Sequence, residues 1–180
     1  NSPMAIDATG IYQRYHAEHH LTDFECRAMY DLATMVRSVE ESKALNLRRG
    51  PMIIISASGM AAGGRVLHHL RAFAPDPKNT IVFSGYQAAG TRGAAMVGGA
   101  DTVKIHGEWV PVRAEVVQLH GTSGHADRDQ LVAWLGSGGA LPRRVFVTHG
   151  EAVAADAMRQ HLRRAIPAEV TVPEHRETVT

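Results

Sequence analysis

The chain has 180 residues, of which 44% are hydrophobic and 21% charged, with a formal net charge of +1. This balance is typical of one largish or two small globular domains. Charged residues or glycine interrupt every apolar run before it reaches the roughly 18 residues of a membrane helix, so we expect no membrane span. The first residues combine neither a basic segment nor a long apolar core, and no secretory signal is visible.

The counts of cysteine and histidine restrict the chemistry. A single cysteine, Cys26, excludes an internal disulfide and a Cys-x-x-Cys metal site, and it fits a reducing compartment, so we expect a cytoplasmic protein. Eleven histidines are many for this length. Genomic drift explains such a bias as well as function does, so the positions of the histidines decide between the two.

The N-terminal part is predicted to be helical. Ser2 and Pro3 have the residue types of an N-cap and a first helical position, which predicts a helix as far as about His19. A second helical stretch is predicted over 26–44, with a break near Arg37.

The next segment has the pattern of a strand–helix–strand unit. The β-branched apolar run 52–57 predicts a strand buried on both faces, and a helix is predicted over 61–73. A second buried strand is predicted over 80–84, followed by the glycine-rich turn 85–93. The pattern predicts an α/β fold with a parallel sheet, in which ligands bind at the carboxyl ends of the strands.

The pattern changes near residue 100. From Asp101 to Leu119 apolar residues alternate with polar ones, which predicts antiparallel strands and a domain boundary at this point. A helix is then predicted over 126–135, with Leu131, Trp134 and Leu135 on its core face.

The remaining elements are a strand over 144–148, a helix over 152–165 and a last strand over 169–172. Histidines on predicted helices, such as His68 and His69, are explained most simply as part of solvated helix faces.

Two histidines occupy positions that suit chemistry. His149 follows the predicted strand 144–148 directly, and His125 opens the helix predicted over 126–135, whose free N–H groups favour an anion such as phosphate. By position, each is only moderately favoured over a structural histidine. Neither an HxH nor an HExxH pattern occurs, so local ligands do not assemble a complete hydrolytic metal site.

Four motifs appear in one order along the chain. They are Ser56-Ala57-Ser58-Gly59-Met60 with Gly63-Gly64-Arg65-Val66, then Gly85-Tyr86-Gln87-Ala88-Ala89-Gly90-Thr91-Arg92-Gly93, then Ser123-Gly124-His125-Ala126-Asp127, then Thr148-His149-Gly150-Glu151. With these motifs the chain resembles the C-terminal part of a β-CASP nuclease of the metallo-β-lactamase fold, similar to homologues of the nuclease subunit of the cleavage and polyadenylation specificity factor. The resemblance implies that residues 1–98 are the later part of a β-CASP domain. Residues 99–180 would be the RNA-metabolising C-terminal segment of the metallo-β-lactamase domain.

The resemblance implies a zinc-dependent endoribonuclease that cleaves phosphodiesters of single-stranded RNA with two zinc ions. His125 matches motif B, whose histidine contacts the scissile phosphate and protonates the leaving oxygen. His149 matches motif C, whose histidine ligates one of the zinc ions. A valine is usual at motif C in the DNA-directed branch, so His149 implies RNA as substrate.

The family's HxHxDH zinc motif does not occur in the chain. We therefore expect a fragment that is inactive alone and binds no zinc tightly, because one imidazole cannot hold a catalytic zinc. Its partner would be the N-terminal metallo-β-lactamase half of the same protein, and apolar surface exposed without that half predicts self-association, for example as a homodimer. The alternatives are a non-catalytic module that binds RNA or a protein, a DNA nuclease, and a 5′-exonuclease of the same family.

The two glycine-rich turns suggest contacts to an RNA backbone. Ser56, Ser58 and Gly59 in one turn, and Thr91 and Arg92 in the other, could present N–H groups and a guanidinium to phosphates. Tight turning between strand and helix requires glycine as well, and it explains the same residues equally well.

Overall fold

A computed structural model describes residues 1–121 and 124–179. Thr122 and Ser123, which belong to the motif before His125, and Thr180 lie outside the described residues. The described α-helices are α1 (Pro3–Arg14), α2 (Asp23–Asp31), α3 (Val39–Leu45), α4 (Val66–Phe73), α5 (Arg92–Val97), α6 (Arg128–Gly136) and α7 (Ala152–Ala165), and a short 3-10 helix covers His16–Glu18. The described strands are β1 (Thr80–Phe83), β2 (Thr102–Ile105), β3 (Glu108–Pro111), β4 (Glu115–Gln118), β5 (Arg144–Phe146) and β6 (Glu169–Thr171).

Each of the first three α-helices begins at a capping residue, and α1 ends earlier than expected. The Ser2 hydroxyl accepts a hydrogen bond from an N–H of the first turn of α1, which stops at Arg14 instead of near His19. The predicted stretch 26–44 forms two helices, α2 and α3, and each begins with a capping box. These separate start signals explain the division near Arg37.

The predicted strand over 52–57 is wrong as a strand of a sheet. The segment has no regular secondary structure, and none of the described residues pairs with it as a neighbouring strand. The side chains of Ile53 and Ile55 are 93% and 73% exposed. A strand needs a partner for its N–H and C=O groups, so β-branched sequence alone does not build one.

The strand order also differs from the prediction. β2 and β3 pair in antiparallel fashion as expected. β4, expected to continue that antiparallel series, pairs instead in parallel with β1, with Thr80 opposite Glu115. The chain reaches β1 because the N–H groups of Arg113 and Ala114 both donate to the carbonyl of Ala74, at the end of α4. A parallel pair therefore forms across the boundary predicted near residue 100.

One hydrophobic core joins these elements. It consists of Ala61, Leu67, Leu70, Ala74, Phe83, Met96, Val103, Ile105 and Val110. The cluster draws on α4, β1 and α5 as well as on β2 and β3, so residues on both sides of position 100 pack together. Mixed helices and parallel strand pairs agree with the predicted α/β class.

The C-terminal elements pack around a smaller core. β5 and β6 pair in parallel, and Leu162, Ile166 and Val170 form a buried cluster beside them. The predicted core face of α6 is wrong for Trp134, which is 70% exposed, and for Leu131, which is 38% exposed. Val132 and Leu135 of this helix pack against the cluster instead. The face of α6 that carries Val132 and Leu135 is thus the one that packs on the core, and Leu131 and Trp134 lie outside it.

By contacts, the chain divides into two units, Asn1–Ser123 and Gly124–Thr180. The predicted domain boundary at 98/99 concerns the family's modules, and it stays a prediction. Within residues 1–121 and 124–179, none of the helices is both long enough and apolar enough to cross a membrane.

Candidate functional site

The two glycine-rich turns of the first unit are joined by Gln87. The two N–H groups of its side-chain Nε2 are shared among three carbonyls, those of Gly59 at 3.0 Å, Gly85 at 3.2 Å and Tyr86 at 3.1 Å. Its Oε1 is buried without a hydrogen-bond partner. A Cβ on Gly93 would lie 1.7 Å from this oxygen, so glycine is the residue that leaves room for the Gln87 side chain. Gln87 therefore ties the Ser58–Gly59 turn to the turn that precedes α5.

Arg92 makes a second link between the same two segments. Its Nη1 donates to the carbonyls of Ala61 and Ala62, each at 3.2 Å, and its Nε donates to the carbonyl of Lys104 at 2.5 Å. The half-buried guanidinium therefore holds the start of α5 against the turn before α4 and against β2. A phosphate contact by Arg92 stays a prediction, and it would have to use the remaining nitrogen, Nη2.

The hydroxyls of the other predicted substrate-binding residues also contact backbone. Thr91 Oγ1 donates to the carbonyl of Ala88 at 2.7 Å and accepts from the N–H of Ala94, which makes Thr91 the N-cap of α5. Ser58 Oγ accepts from the N–H of Ala62 at 3.3 Å. These bonds support the reading in which the residues shape tight turns, and contacts to RNA stay a prediction.

Ser56 is anchored to a polar network. Its hydroxyl donates to the carbonyl of Asn1 at 3.1 Å. The Asn1 amide accepts from Arg65 at 2.9 Å through Oδ1, and its Nδ2 lies 2.6 Å from Nε2 of His69. The other ring nitrogen of His69 lies 2.6 Å from Oδ1 of Asn46. The expectation that His69 lies on a solvated helix face is wrong, because its side chain is only 5% exposed.

In the second unit, His149 lies where the sequence predicts it. Strand β5 ends at Phe146, its pairing continues with a bond from the Val147 N–H to Thr171, and α7 begins at Ala152. His149 is exposed, and its φ of +62° is in the left-handed region, which non-glycine residues seldom adopt. The imidazole is thus presented on a tight turn at the carboxyl end of a parallel strand.

His125 lies before α6, not in it. Asp127 is the N-cap, and its carboxylate accepts from the N–H groups of Asp129 at 2.9 Å and Gln130 at 2.8 Å. Gln130 Oε1 accepts in return from the Asp127 N–H, which completes a capping box. An acidic side chain therefore already accepts from two of the N–H groups that were expected to favour phosphate, which makes this helix start less suited to an anion. His125 is exposed, and contact with a substrate would come from its own side chain.

The described residues do not by themselves fit a catalytic zinc ion. Such a site normally needs three protein ligands. Over residues 1–121 and 124–179, no three His, Cys, Asp or Glu side chains are grouped so that they could hold one metal ion. His149 can contribute at most one imidazole, and the described part of the chain offers no complete site around it.

Comparison with known families gives two matches in chain order. Residues 1–96 match the Beta-Casp domain. The chain belongs to the β-CASP family. Residues 109–173 match the Zn-dependent metallo-hydrolase RNA specificity domain, and both His125 and His149 fall within that range. The resemblance to the C-terminal portion of a β-CASP RNA nuclease is confirmed, and so is the α/β fold class.

Curated relatives carry names that concern RNA and transcription. The chain is 48% identical to "Ribonuclease TTHA0252" of Thermus thermophilus over 157 residues, which are 84% of this chain and 36% of that protein. It is 36% identical to "Transcription termination factor FttA" of Methanosarcina mazei over 134 residues, 72% of this chain and 21% of the relative. The FttA of Thermococcus kodakarensis is 41% identical over 107 residues, 57% of this chain and 16% of that protein. The chain thus spans about a third or less of the length of these relatives.

Sequence reasoning overlooked the residues that hold the turns together. Gln87 lies inside one of the four motifs, so its position in the sequence could have pointed to it. Nothing in the sequence, however, identifies the three carbonyls that it contacts. Asp127 also lies inside a motif, and an Asp three residues before Gln130 is a capping-box pattern that predicts the start of α6 correctly. No comparable pattern points to the contact between Asn1 and His69, because 68 residues separate them in the chain.

Proposed function

We propose that this chain is the C-terminal portion of a zinc-dependent endoribonuclease that cleaves phosphodiesters of single-stranded RNA. The observation that carries the proposal is the succession of a β-CASP match and an RNA-specificity match, with both candidate histidines in the second. In the whole protein, two zinc ions would supply the metal chemistry, and His149 would contribute one ligand beside residues that this chain does not contain.

His125 is proposed as the general acid. Histidine changes charge near neutral pH, so it can hold a proton and give it to a leaving oxygen under physiological conditions. The exposure of His125 supports this role, since the side chain is accessible to a bound strand. The Asp127 cap supports it as well, because it fixes the backbone two residues after the imidazole.

His149 is proposed as the metal ligand on different grounds. It lies on a tight turn between β5 and α7, and the pairing of β5 with β6 holds the strand end before it. A ligand needs a fixed backbone and an accessible imidazole nitrogen, and an exposed residue on a turn next to a paired strand meets both requirements.

Two substitutions in the full-length protein test these roles. His125→Ala should lower kcat for RNA cleavage by about 10²- to 10⁴-fold, the usual contribution of a general acid, and should leave the zinc content unchanged. His149→Ala should lower both cleavage and the zinc content. Cleavage is measured with a labelled RNA under single-turnover conditions, and zinc by elemental analysis of the purified protein.

His175→Ala is the matched control, because His175 is an exposed histidine of the same unit outside both motifs. It should retain the kcat and zinc content of the unchanged protein. Equal loss of zinc in the His125 and His149 variants would show that the assigned roles are wrong. Unchanged cleavage in both variants would refute the proposed contribution of this chain to catalysis.

The choice of an endonuclease is tested with circular RNA. An endonuclease cuts a circle and a linear strand alike, whereas a 5′-exonuclease needs a free end and leaves the circle intact. A DNA oligonucleotide of the same sequence should be cleaved far more slowly, and faster cleavage of the DNA would favour the DNA-directed branch of the family.

A second candidate, RNA binding without cleavage, is favoured by the lack of a three-ligand cluster in the described residues. For the 180-residue chain alone we propose this behaviour: no stoichiometric zinc and no cleavage. An assay of the full-length protein distinguishes the two candidates. If that protein cleaves RNA in a metal-dependent reaction, then only the isolated 180-residue chain binds RNA without cleaving it.

A further inference from the structure

A cavity of about 430 Å³ lies at the carboxyl ends of the parallel strands β1 and β4. This edge of a parallel sheet is where ligands bind in α/β proteins, and the volume falls within the roughly 300–1,000 Å³ of small-molecule sites. The side chains that line the cavity include Tyr86, Gln87, Val97, Gln118, Leu119 and His120. None of the described residues that line it is acidic, so the lining does not repel a polyanion.

Tyr86 supplies an aromatic surface at the cavity. Its side chain is 63% exposed, although an aromatic residue usually buries most of its ring in a folded domain. Leu119, also on the lining, is 44% exposed, which adds apolar surface beside the ring. An exposed aromatic ring beside apolar surface is the arrangement on which proteins stack unpaired nucleobases.

Amide groups supply hydrogen-bonding capacity on the same lining. Gln118 Nε2 donates to the carbonyl of Gly85 at 2.9 Å, which orients a half-buried amide at the end of β4. A glutamine amide has two N–H donors and an oxygen acceptor, so this bond uses one donor. Nucleobase edges offer complementary donors and acceptors, whereas a purely apolar ligand would leave such an amide unmatched.

The cavity adjoins the turns that were predicted to contact RNA. Gln87 lines it and also donates to the carbonyl of Gly59, so one side chain joins the cavity to the Ser58–Gly59 turn. We propose that this cavity binds one nucleobase of a single-stranded RNA, stacked on Tyr86. The proposal rests on the proposed function, because it takes RNA as the substrate.

The test measures the affinity of the full-length protein for a ten-nucleotide single-stranded RNA by fluorescence anisotropy, with EDTA to suppress metal-dependent hydrolysis. Tyr86→Ala should weaken binding about tenfold, within the range reported for the loss of one stacked base. Tyr86→Phe keeps the ring and should stay within about twofold of the unchanged protein. Tyr15→Ala removes another exposed tyrosine of the same unit, 55% exposed at the end of α1, and should leave the affinity unchanged.

An abasic scan identifies the stacked position. Removing the base at one position of the RNA should cost the unchanged protein about tenfold and should cost Tyr86→Ala nothing further, since the two changes remove the same contact. Equal losses at all positions, or affinity unaltered by Tyr86→Ala, would overturn the proposal.

The remaining outcomes separate this inference from the proposed function. Unaltered affinity in Tyr86→Ala together with lost cleavage in His125→Ala would refute the cavity alone, whereas a protein without affinity for single-stranded RNA would refute both. Adenosine monophosphate is tested as a competitor of the labelled RNA. If it binds as tightly as the oligonucleotide, the cavity is a site for a free nucleotide, and the proposal is overturned. A tighter complex with the matching DNA would overturn the assignment to RNA.

Discussion

The candidate residues of the two units are supported in different ways. In Asn1–Ser123, side-chain bonds join the turns that carry them: Gln87 bonds to three carbonyls and Arg92 to three more. In Gly124–Thr180, His125 and His149 are both exposed and lie on turns next to a helix cap and a strand end. The first unit thus has a cross-linked surface, and the second presents two accessible imidazoles.

This difference corresponds to what the role proposed for each unit would require. A surface that binds a flexible strand gains affinity when its own groups are already ordered, because less conformational entropy is lost on binding. A metal ligand or a general acid must instead reach groups beyond its own backbone, so it has to remain accessible. In the proposed role, the second unit would need further metal ligands from outside the described residues, whereas the first unit holds its turns in place with its own side chains.

Replacement of Gly93 by alanine is expected to have the largest effect on the cross-linked turns. The new Cβ would lie 1.7 Å from Gln87 Oε1 and 3.1 Å from the buried ring of Phe83. The new methyl group cannot shift toward Phe83, because that ring is buried and already close. Gln87 would therefore have to move and break its bonds to Gly59, Gly85 and Tyr86. We expect Gly93→Ala to lower the free energy of unfolding by about 1–3 kcal/mol, measured by urea denaturation.

Gly85→Ala is the control in the same turn, since a Cβ there meets nothing within 4 Å. It should change the free energy of unfolding by less than about 0.5 kcal/mol. In a double-mutant cycle, Gln87→Ala should make Gly93→Ala less harmful, because it removes the clash. Strict additivity of the two changes would contradict the role given to Gln87.

Asp127 tests how the backbone beside His125 is supported. Asp127→Ala removes the acceptor for the N–H groups of Asp129 and Gln130, and it should cost about 0.5–2 kcal/mol of local stability. Hydrogen exchange at those two amides reports the loss, and exchange in the first unit should not change. Asp127→Asn keeps a capping oxygen and should behave almost as the unchanged chain. Equally fast exchange in the Ala and Asn variants would mean that charge, not the cap, supports the turn.

The sequence correctly predicted the elements whose ends depend on residues nearby in the chain, such as helix caps and the spacing of apolar residues. The start of α1 at Ser2 and Pro3, the bounds of α7 and the place of His149 after strand β5 all follow from caps and periodicity within a few residues. The resemblance to the β-CASP family, based on four motifs, predicted the family as well.

Properties that depend on distant residues could not be predicted. The run 52–57 has the composition of a buried strand, yet pairing requires a neighbour that its own sequence does not specify. The parallel pairing of β4 with β1 depends on bonds to Ala74, about 40 residues earlier in the chain. Cross-links such as those of Gln87 also join residues far apart in sequence, so the candidate site was predicted as separate turns and not as one surface.

The smallest effect on stability is expected from His69. Its side chain contacts Asn1, whose carbonyl accepts the hydrogen bond of Ser56. Arg65 donates to Oδ1 of Asn1, so Nδ2 of that amide faces His69, and Nε2 of the ring must accept. If Nε2 carried a proton, two N–H donors, that of the ring and that of Asn1 Nδ2, would face each other without an acceptor. Burial, followed by the positive charges of the N-terminal ammonium group, His68 and Arg65, lowers the pKa of His69 below its ordinary value of 6.5.

The lowered pKa of His69 determines the sign of the pH effect. The unfolded chain binds a proton at higher pH than the folded one, so the stabilisation from neutral His69 is complete above about pH 6.5 and is lost as the pH falls toward the folded pKa. His69→Gln cannot titrate, so the slope of unfolding free energy between pH 7.5 and 5 should become shallower. His68→Gln, at an exposed neighbour, should keep most of the slope. If the slope survives in His69→Gln, another group causes it, and the tautomer assigned to His69 has no consequence for stability.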